Sequence, residues 1–393
     1  MPICPKPPRG LITPEEFLIL SAEISYQLTP TKPNFPALTH LILGPARIPE
    51  TTPVTDALEC LHIAYGRRLR KLGPLQLIHP LRATAILARS MPEPTLLDIL
   101  GALFHDKEED LTEDKLTDAE WTKFSYRFDK LLEKIDRDHQ WYLGERISLL
   151  CRHPESSYNE YIGHILDHSV QMPDLLHIKL ADRLDNTFDT HLQNSGVNQL
   201  NFYRNLFDIL FVPGFKGVVV DDFHFLPGEK DSVLLLSQLF KNIIFLSLSR
   251  AEKRDQLDKT TSMLFDAVAI AGIREAQWIL LEIFASFITN LKDQWRIVSE
   301  TLEYTHLGGA QQITTKAGGN ILDGIVSEYF GILSDDERKA RLALLFQDKN
   351  KLARVILAFI VVFSSFLNDP TYYLHGIERS GILSFTDGNE DLS

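Results

Sequence analysis

Apolar residues recur at helical spacing along almost the whole chain, so an all-α protein is expected. Thr13-Pro14-Glu15-Glu16 combines a capping box with proline at the first helical position and starts the first helix. Residues 30–53 are rich in proline and threonine and read as an irregular connection. From Thr55 to Arg70, the residues Leu58, Leu61 and Tyr65 repeat at helix spacing, and Gly73-Pro74 ends the segment. Further helices are expected near His79-Pro80, from Pro94 through Phe104, over 117–151 as one or two amphipathic pieces, and from Pro173 to Gln193. Residues 211–230 hold two Pro-Gly pairs and a short β-branched run, and read as a linker or small hairpin. Helical spacing returns over 231–367, with a capping box at Ser334-Asp335-Asp336-Glu337 and glycine pairs at Gly308-Gly309 and Gly318-Gly319. No solenoid repeat or low-complexity tract interrupts the pattern.

At 393 residues the chain is too long for one compact core. The expected division is an N-terminal helical extension (1–50), a first helical domain (51–200), a linker (201–230) and a second helical domain (231–393). A content of 44% hydrophobic and 24% charged residues fits an ordinary soluble globular protein. The net charge of -13 argues against nucleic-acid polymers and anionic membranes, which would be repelled, but leaves room for a small phosphorylated ligand. Cys4, Cys60 and Cys151 are scattered without paired spacing, which suits a reducing cytoplasm and indicates neither disulfides nor a thiolate zinc site. The N-terminus lacks the long apolar run of a signal peptide. The most apolar stretch, Val355 to Leu367, is shorter than the roughly 20 residues a membrane span needs, and reads as a buried core helix.

Four pieces of the first half carry chemistry. Arg67-Arg68-Leu69-Arg70-Lys71 concentrates positive charge in an acidic protein, and Ile78-His79-Pro80 begins a helix. His105-Asp106-Lys107-Glu108-Glu109-Asp110 follows an apolar helix, and Lys179 through Asn186 lies inside another. Together His79, His105, Asp106 and Asp182 form a mixed nitrogen and oxygen set suited to Mn²⁺, Fe²⁺ or Zn²⁺. Such an ion neutralises phosphoryl charge and lowers the pKa of a water. If the helix continues past His105, Glu109 falls four residues on along the same face and is placed to act as base or orienter for that water. Asp182 and Asn186 are also four apart, and Arg70 and Lys71 can clamp phosphates.

Taken singly, each piece has a plainer explanation. A lone histidine beside an apolar helix is usually a hydrogen-bonded structural residue, and His62 is expected to be one. The arginine run alone would be a solvated face, and Asp182 alone half of a surface ion pair. His164, His168 and His177 have no carboxylates at ligand spacing that would make a second site. Trp121, Trp141, Phe124 and Phe128 read as core or interface packing.

In order, however, the pieces resemble the HD superfamily, and within it the hydrolase domain of RelA/SpoT-type (p)ppGpp enzymes and their small stand-alone relatives. The segment Ala64 through Pro80 aligns without a gap with that family's first motif. His105-Asp106-Lys107-Glu108-Glu109-Asp110-Leu111 matches its H-D-x-x-E-D-T, and Lys179-Leu180-Ala181-Asp182-Arg183-Leu184-Asp185-Asn186 its K-L-A-D-R-L-x-N. The resemblance covers roughly residues 50–195. It implies an HD helical bundle holding one Mn²⁺ (or another divalent transition metal) through His79, His105, Asp106 and Asp182. It further implies that Glu109 and Asp110 serve hydrolysis, and that Arg70, Lys71 and Asn186 contact a small nucleotide substrate. The implied reaction removes the 3′-pyrophosphate of ppGpp or pppGpp, the alarmones of the stringent response.

Departures touch the surroundings of the site. Gln76 replaces the family's tyrosine, Tyr65-Gly66-Arg67-Arg68 its His-x-Gly-Gln portion, Leu111 its threonine, and Asp185 the histidine before the asparagine. Every metal ligand and both catalytic acids are kept, so hydrolysis is expected, whereas guanine specificity is open. An adenine analogue such as ppApp, a deoxynucleoside triphosphate, or a non-catalytic alarmone sensor are the alternatives. No synthetase module is expected in the second half. Its role stays open between a dimerisation surface, a lid over the site and a partner-binding bundle.

Overall fold

The computed structural model of the chain describes residues 14–28, 33–44, 46, 48, 51–66, 68–69, 75–188, 229–252, 257–315, 319–331 and 333–382. Across them the protein is all-α, with one antiparallel pair of two-residue strands, β1 (Ile377–Glu378) and β2 (Gly381–Ile382). The first half comprises α1 (Pro14–Leu28), α2 (Phe35–Leu43), α3 (Thr52–Tyr65), α4 (Ile78–Ser90) and α5 (Leu96–Leu103). It continues with α6 (Lys107–Asp110), α7 (Asp118–Leu132), α8 (Arg137–Leu150), α9 (Tyr158–His168) and α10 (Pro173–Phe188).

Local chemistry sets where several of these helices begin. Thr95, Thr117 and Ser157 form reciprocal capping boxes with Asp98, Glu120 and Glu160, satisfying amides that have no intrahelical acceptor. Pro80 sits in the first turn of α4, where its missing N–H costs no helical hydrogen bond. Every residue of α4 except Arg89 is buried, because α1, α2, α5 and α10 all pack against it. The Arg89 guanidinium in turn caps α2, donating to the carbonyls of Leu41 (2.7 Å) and Ile42 (2.8 Å).

The second half is built from α11 (Glu229–Glu252), α12 (Lys259–Ser286), α13 (Leu291–Tyr304), α14 (Ile325–Phe330), α15 (Asp335–Gln347) and α16 (Lys349–Asn368). A π-turn at Thr305–Gly309 follows α13, and the Ser334–Glu337 capping box starts α15 as expected. The helices α12 and α16 lie against one another at close quarters. A Cβ added at Gly272 would stand 2.7 Å from the Phe363 ring, so only glycine lets that ring seat. Helix α10 packs against both α4 and α12, and the apolar core runs continuously through the two halves. Polar ties cross the same seam: His177 Nε2 meets Asp258 Oδ2 at 2.9 Å, and Asn159 donates to the Glu378 carbonyl at 2.8 Å.

Several local expectations change. Residues 30–53 are not wholly irregular, because α2 lies within them: Asn34 caps it by accepting from the Ala37 amide, and Pro36 occupies its first turn. Helix α3 stops at Tyr65, well before Gly73-Pro74, because Gly66 takes a positive φ of 52° and closes on the His62 carbonyl. Two separate helices, α7 and α8, fill 117–151. Trp141 is 67% exposed and is no core residue, whereas Trp121, Phe124 and Phe128 pack together as foreseen. The Val355–Leu367 stretch is part of a 20-residue helix. Val233–Glu252 and Lys349–Asn368 are long and apolar enough to cross a membrane by length and composition, and most of each is buried within the protein. The expected linker, residues 201–230, lies outside the described residues as far as 228.

Candidate metal centre and ligand pocket

Three elements bring the four expected ligands together. The first turn of α4 supplies His79, the turn between α5 and α6 supplies His105 and Asp106, and the middle of α10 supplies Asp182. His79 Nε2 lies 3.2 Å from His105 Nε2 and 3.2 Å from Asp182 Oδ1. His105 Nε2 is 3.7 Å from the same Asp182 oxygen. Asp106 reaches both rings with different oxygens, Oδ2 at 3.3 Å from His79 and Oδ1 at 3.2 Å from His105. Donor atoms that share one ion at about 2.1 Å stand roughly 3–3.5 Å apart, which is the spacing found. Among the described residues, His79, His105 and Asp182 form the cluster whose ligand atoms all lie within 4.8 Å of one another, and Asp106 flanks it.

The outer contacts of the two imidazoles decide what the inner ones can do. His105 Nδ1 is 2.7 Å from the Ala102 carbonyl, an atom that only accepts. His79 Nδ1 is 2.6 Å from Asp185 Oδ2, and that carboxylate is gripped by Arg82 through Nε (2.7 Å) and Nη2 (3.1 Å). Each Nδ1 therefore carries the proton it donates outward, which leaves Nε2 of each ring facing inward, where the neutral ring offers its lone pair to a cation. Two lone pairs and two carboxylates facing one another repel unless a cation or extra protons lie between them. The donor set fits a borderline divalent metal.

Asp185 and Arg82 both have fully buried side chains, so this outer pair is held without solvent. Phe17 of α1 covers the Arg82 guanidinium, whose carbon lies 5.0 Å from the ring centre. Neither residue was singled out as functional from sequence. Asp185 was noted only as a departure, and nothing near Arg82 in the chain points to it.

Charge within the cluster is strongly coupled. Burial alone would lower the His105 pKa, yet Asp106 and Asp182 outweigh it and raise it. Burial would likewise raise Asp106, but His105 and His79 bring it down to about 2. Asp182 falls well below the usual carboxylate range despite burial, chiefly because Lys179 and the histidines favour its charged form. Lys179 Nζ contacts Asp182 Oδ2 at 2.7 Å, one turn earlier on α10. Asn186, one turn later, donates to Asp182 Oδ1, so this expected nucleotide contact also steadies a ligand.

Glu109 and Asp110 lie on α6, at the edge of the same pocket. The helix α5 does not continue past His105: it ends at Leu103, and α6 begins anew at Lys107. Glu109 therefore reaches the pocket from a separate short helix and not from an i+4 position on α5. Its Oε1 accepts from the Arg152 amide at 2.7 Å. Asp110 Oδ2 accepts from Gln76 Nε2 at 2.7 Å, which gives Gln76 a task as an orienting donor. Burial raises both pKa values, with Asp106 adding to each, against the pull of Lys179 on Glu109 and of Gln76 on Asp110. Raised carboxyl pKa values beside a cation site are what proton transfer near neutral pH needs.

Beyond the cluster the pocket opens to about 520 Å³, within the range of small-ligand sites. Part of its lining is positive: Arg152 precedes α9, Lys179 and Arg183 lie on α10, and Lys241 comes from α11. Sequence reasoning placed the phosphate clamp on Arg70 and Lys71, which lie outside the described residues, and did not propose these four. Lys179 and Arg183 lay in plain sight inside the third motif. Arg152 and Lys241 carry no local signal.

Compared with family models, curated proteins and solved structures, the chain matches none.

Proposed function

We propose that the protein is a metal-dependent phosphohydrolase of the HD type, removing the 3′-pyrophosphate from a hyperphosphorylated guanosine nucleotide such as ppGpp. The observation that carries this proposal is the convergence of His79, His105, Asp106 and Asp182, with the Nε2 atoms of both rings turned inward. A divalent ion held there, Mn²⁺ by the resemblance to RelA/SpoT-type hydrolases, supplies positive charge for phosphoryl oxygens and makes water more acidic. Glu109 takes the proton of the attacking water, and Asp110, aligned by Gln76, helps to orient it. As the new bond to phosphorus forms, the bond from phosphorus to the ribose 3′-oxygen breaks; that oxygen departs and takes up the proton released from the attacking water, leaving GDP and free pyrophosphate. Lys179, paired with Asp182, faces the negative charge that builds on the phosphoryl oxygens. Asn186 borders the same space and is positioned to meet the nucleotide.

The decisive experiment is a nucleotide panel with added Mn²⁺ and identified products: ppGpp, ppApp, dGTP and cyclic dinucleotides. Release of pyrophosphate from ppGpp is the expected result. Preference for ppApp or dGTP would keep the phosphohydrolase and replace its substrate. Tight ppGpp binding without turnover would make the protein a sensor, and neither binding nor turnover on any member would remove the proposal.

A further inference from the structure

The cationic wall of the pocket is short of negative partners. Among the described residues the Arg183 guanidinium meets neutral acceptors: Asn242 Oδ1 at 2.8 and 3.1 Å, and Gln238 Oε1 at 2.6 Å. The Arg152 guanidinium donates to the Ser156 carbonyl at 2.9 and 3.1 Å, and among the described residues its acidic contact is Asp335 at 3.8 Å, itself bonded to Arg338. Lys241 has no hydrogen bond or ion pair among the described residues, and its ammonium stands 5.6 Å from the centre of the Tyr158 ring. The groups around it are Arg183, Arg152, Lys179 and Arg338, so burial and like charge together bring its pKa down to about 7. Lys179 is the exception, being paired with Asp182.

Such an arrangement is unfavourable when empty. Cations held near one another with few carboxylates to offset them repel. An anion placed among them turns that repulsion into attraction. We propose that Arg152, Arg183 and Lys241 form an anion subsite that spans the two helical halves and takes a phosphate group of the ligand away from the His–Asp cluster. The second half then completes the pocket through α11, and the ligand must carry negative charge at two places. The inference rests on the phosphohydrolase proposal for the rest of the ligand, whereas capture of a phosphate by these three side chains needs no turnover.

The test uses the full chain, stripped of metal by a chelator, with inorganic pyrophosphate as the probe in calorimetry and in thermal unfolding. Without metal the carboxylate cluster repels anions, so binding reports on the cationic wall. Saturable binding with a raised Tm is expected. In Lys241→Met the dissociation constant should rise tenfold or more, while Lys241→Arg keeps most of the affinity. Asp182→Asn, at the other end, should not weaken pyrophosphate binding. No binding by the parent chain, or equal binding by the parent and Lys241→Met, overturns the subsite. Pyrophosphate binding in a protein inert toward every nucleotide would keep the subsite and remove the hydrolase, so the two proposals fail separately.

Discussion

The pocket is lined by two polar clusters of opposite design. At the His–Asp end each buried charge has a partner behind it: Asp185 holds His79 and is held by Arg82, and Lys179 holds Asp182. At the cationic end, Arg183 meets only neutral acceptors and Lys241 has none among the described residues. Under the proposed function the contrast separates a resident group from a visiting one. Ligands for a permanent ion are braced from outside so that they hold their aim, whereas a site for a passing anion is left short of charge until it arrives.

If that division is right, damage to the two ends will differ in kind. The largest effect is expected for Asp106→Ala, which removes the carboxylate touching both imidazoles. Metal binding, read by calorimetry, and turnover should both be lost, and retained metal would show that His79, His105 and Asp182 suffice. Next comes Asp185→Asn, which keeps an acceptor for His79 but removes the buried negative charge that pairs with Arg82. Breaking such a pair costs about 3–5 kcal/mol in unfolding free energy, and metal affinity should fall by roughly 10- to 100-fold. Unchanged stability in urea would mean that Asp185 braces nothing.

Glu109→Ala sharpens the comparison within the metal end. It should spare the metal and slow turnover by roughly 10²-fold, and unchanged turnover would take the proton-accepting role from Glu109. The smallest effect concerns pH and Lys241. Its pKa in the folded protein, about 7, lies below the about 10.4 of a free lysine. Between those values the unfolded chain binds the extra proton, so this group makes stability rise with pH across that window. Below pH 7 the folded protein carries the charge against the repulsion of Arg152, Lys179, Arg183 and Arg338. Lys241→Met should therefore be more stable than the parent below pH 7, on the order of 1 kcal/mol after screening, with the gap closing toward pH 10. Parallel unfolding profiles would show that Lys241 is not strained by its neighbours.

Much of this could be read from the chain, and the exceptions have physical causes. The helical class followed from periodicity, and the convergence of His79, His105, Asp106 and Asp182 from the order of their motifs. Helix α2 was hidden because proline was taken as a breaker, although in a first turn, as at Pro36, it is a helix starter. The end of α3 was placed at the stronger-looking Gly73-Pro74, when Gly66 alone could terminate it. Arg82 escaped notice because its partner, Asp185, is 103 residues away and only the packing of α4 on α10 joins them. Lys241 belongs to no motif, and its meaning depends on where α11 docks.

The interruption between α5 and α6 sets a limit on how this chain can vary. Neighbouring residues of an unbroken α-helix point about 100° apart, so His105 and Asp106 can serve one centre only because the backbone turns at Phe104–Asp106. The turn is timed to a single residue. Lengthening or shortening α5 by one position would rotate the pair away from His79 and Asp182 together, while point substitutions along its outer face leave that aim intact. Drift in this part of the molecule is therefore open to replacement and closed to insertion or deletion.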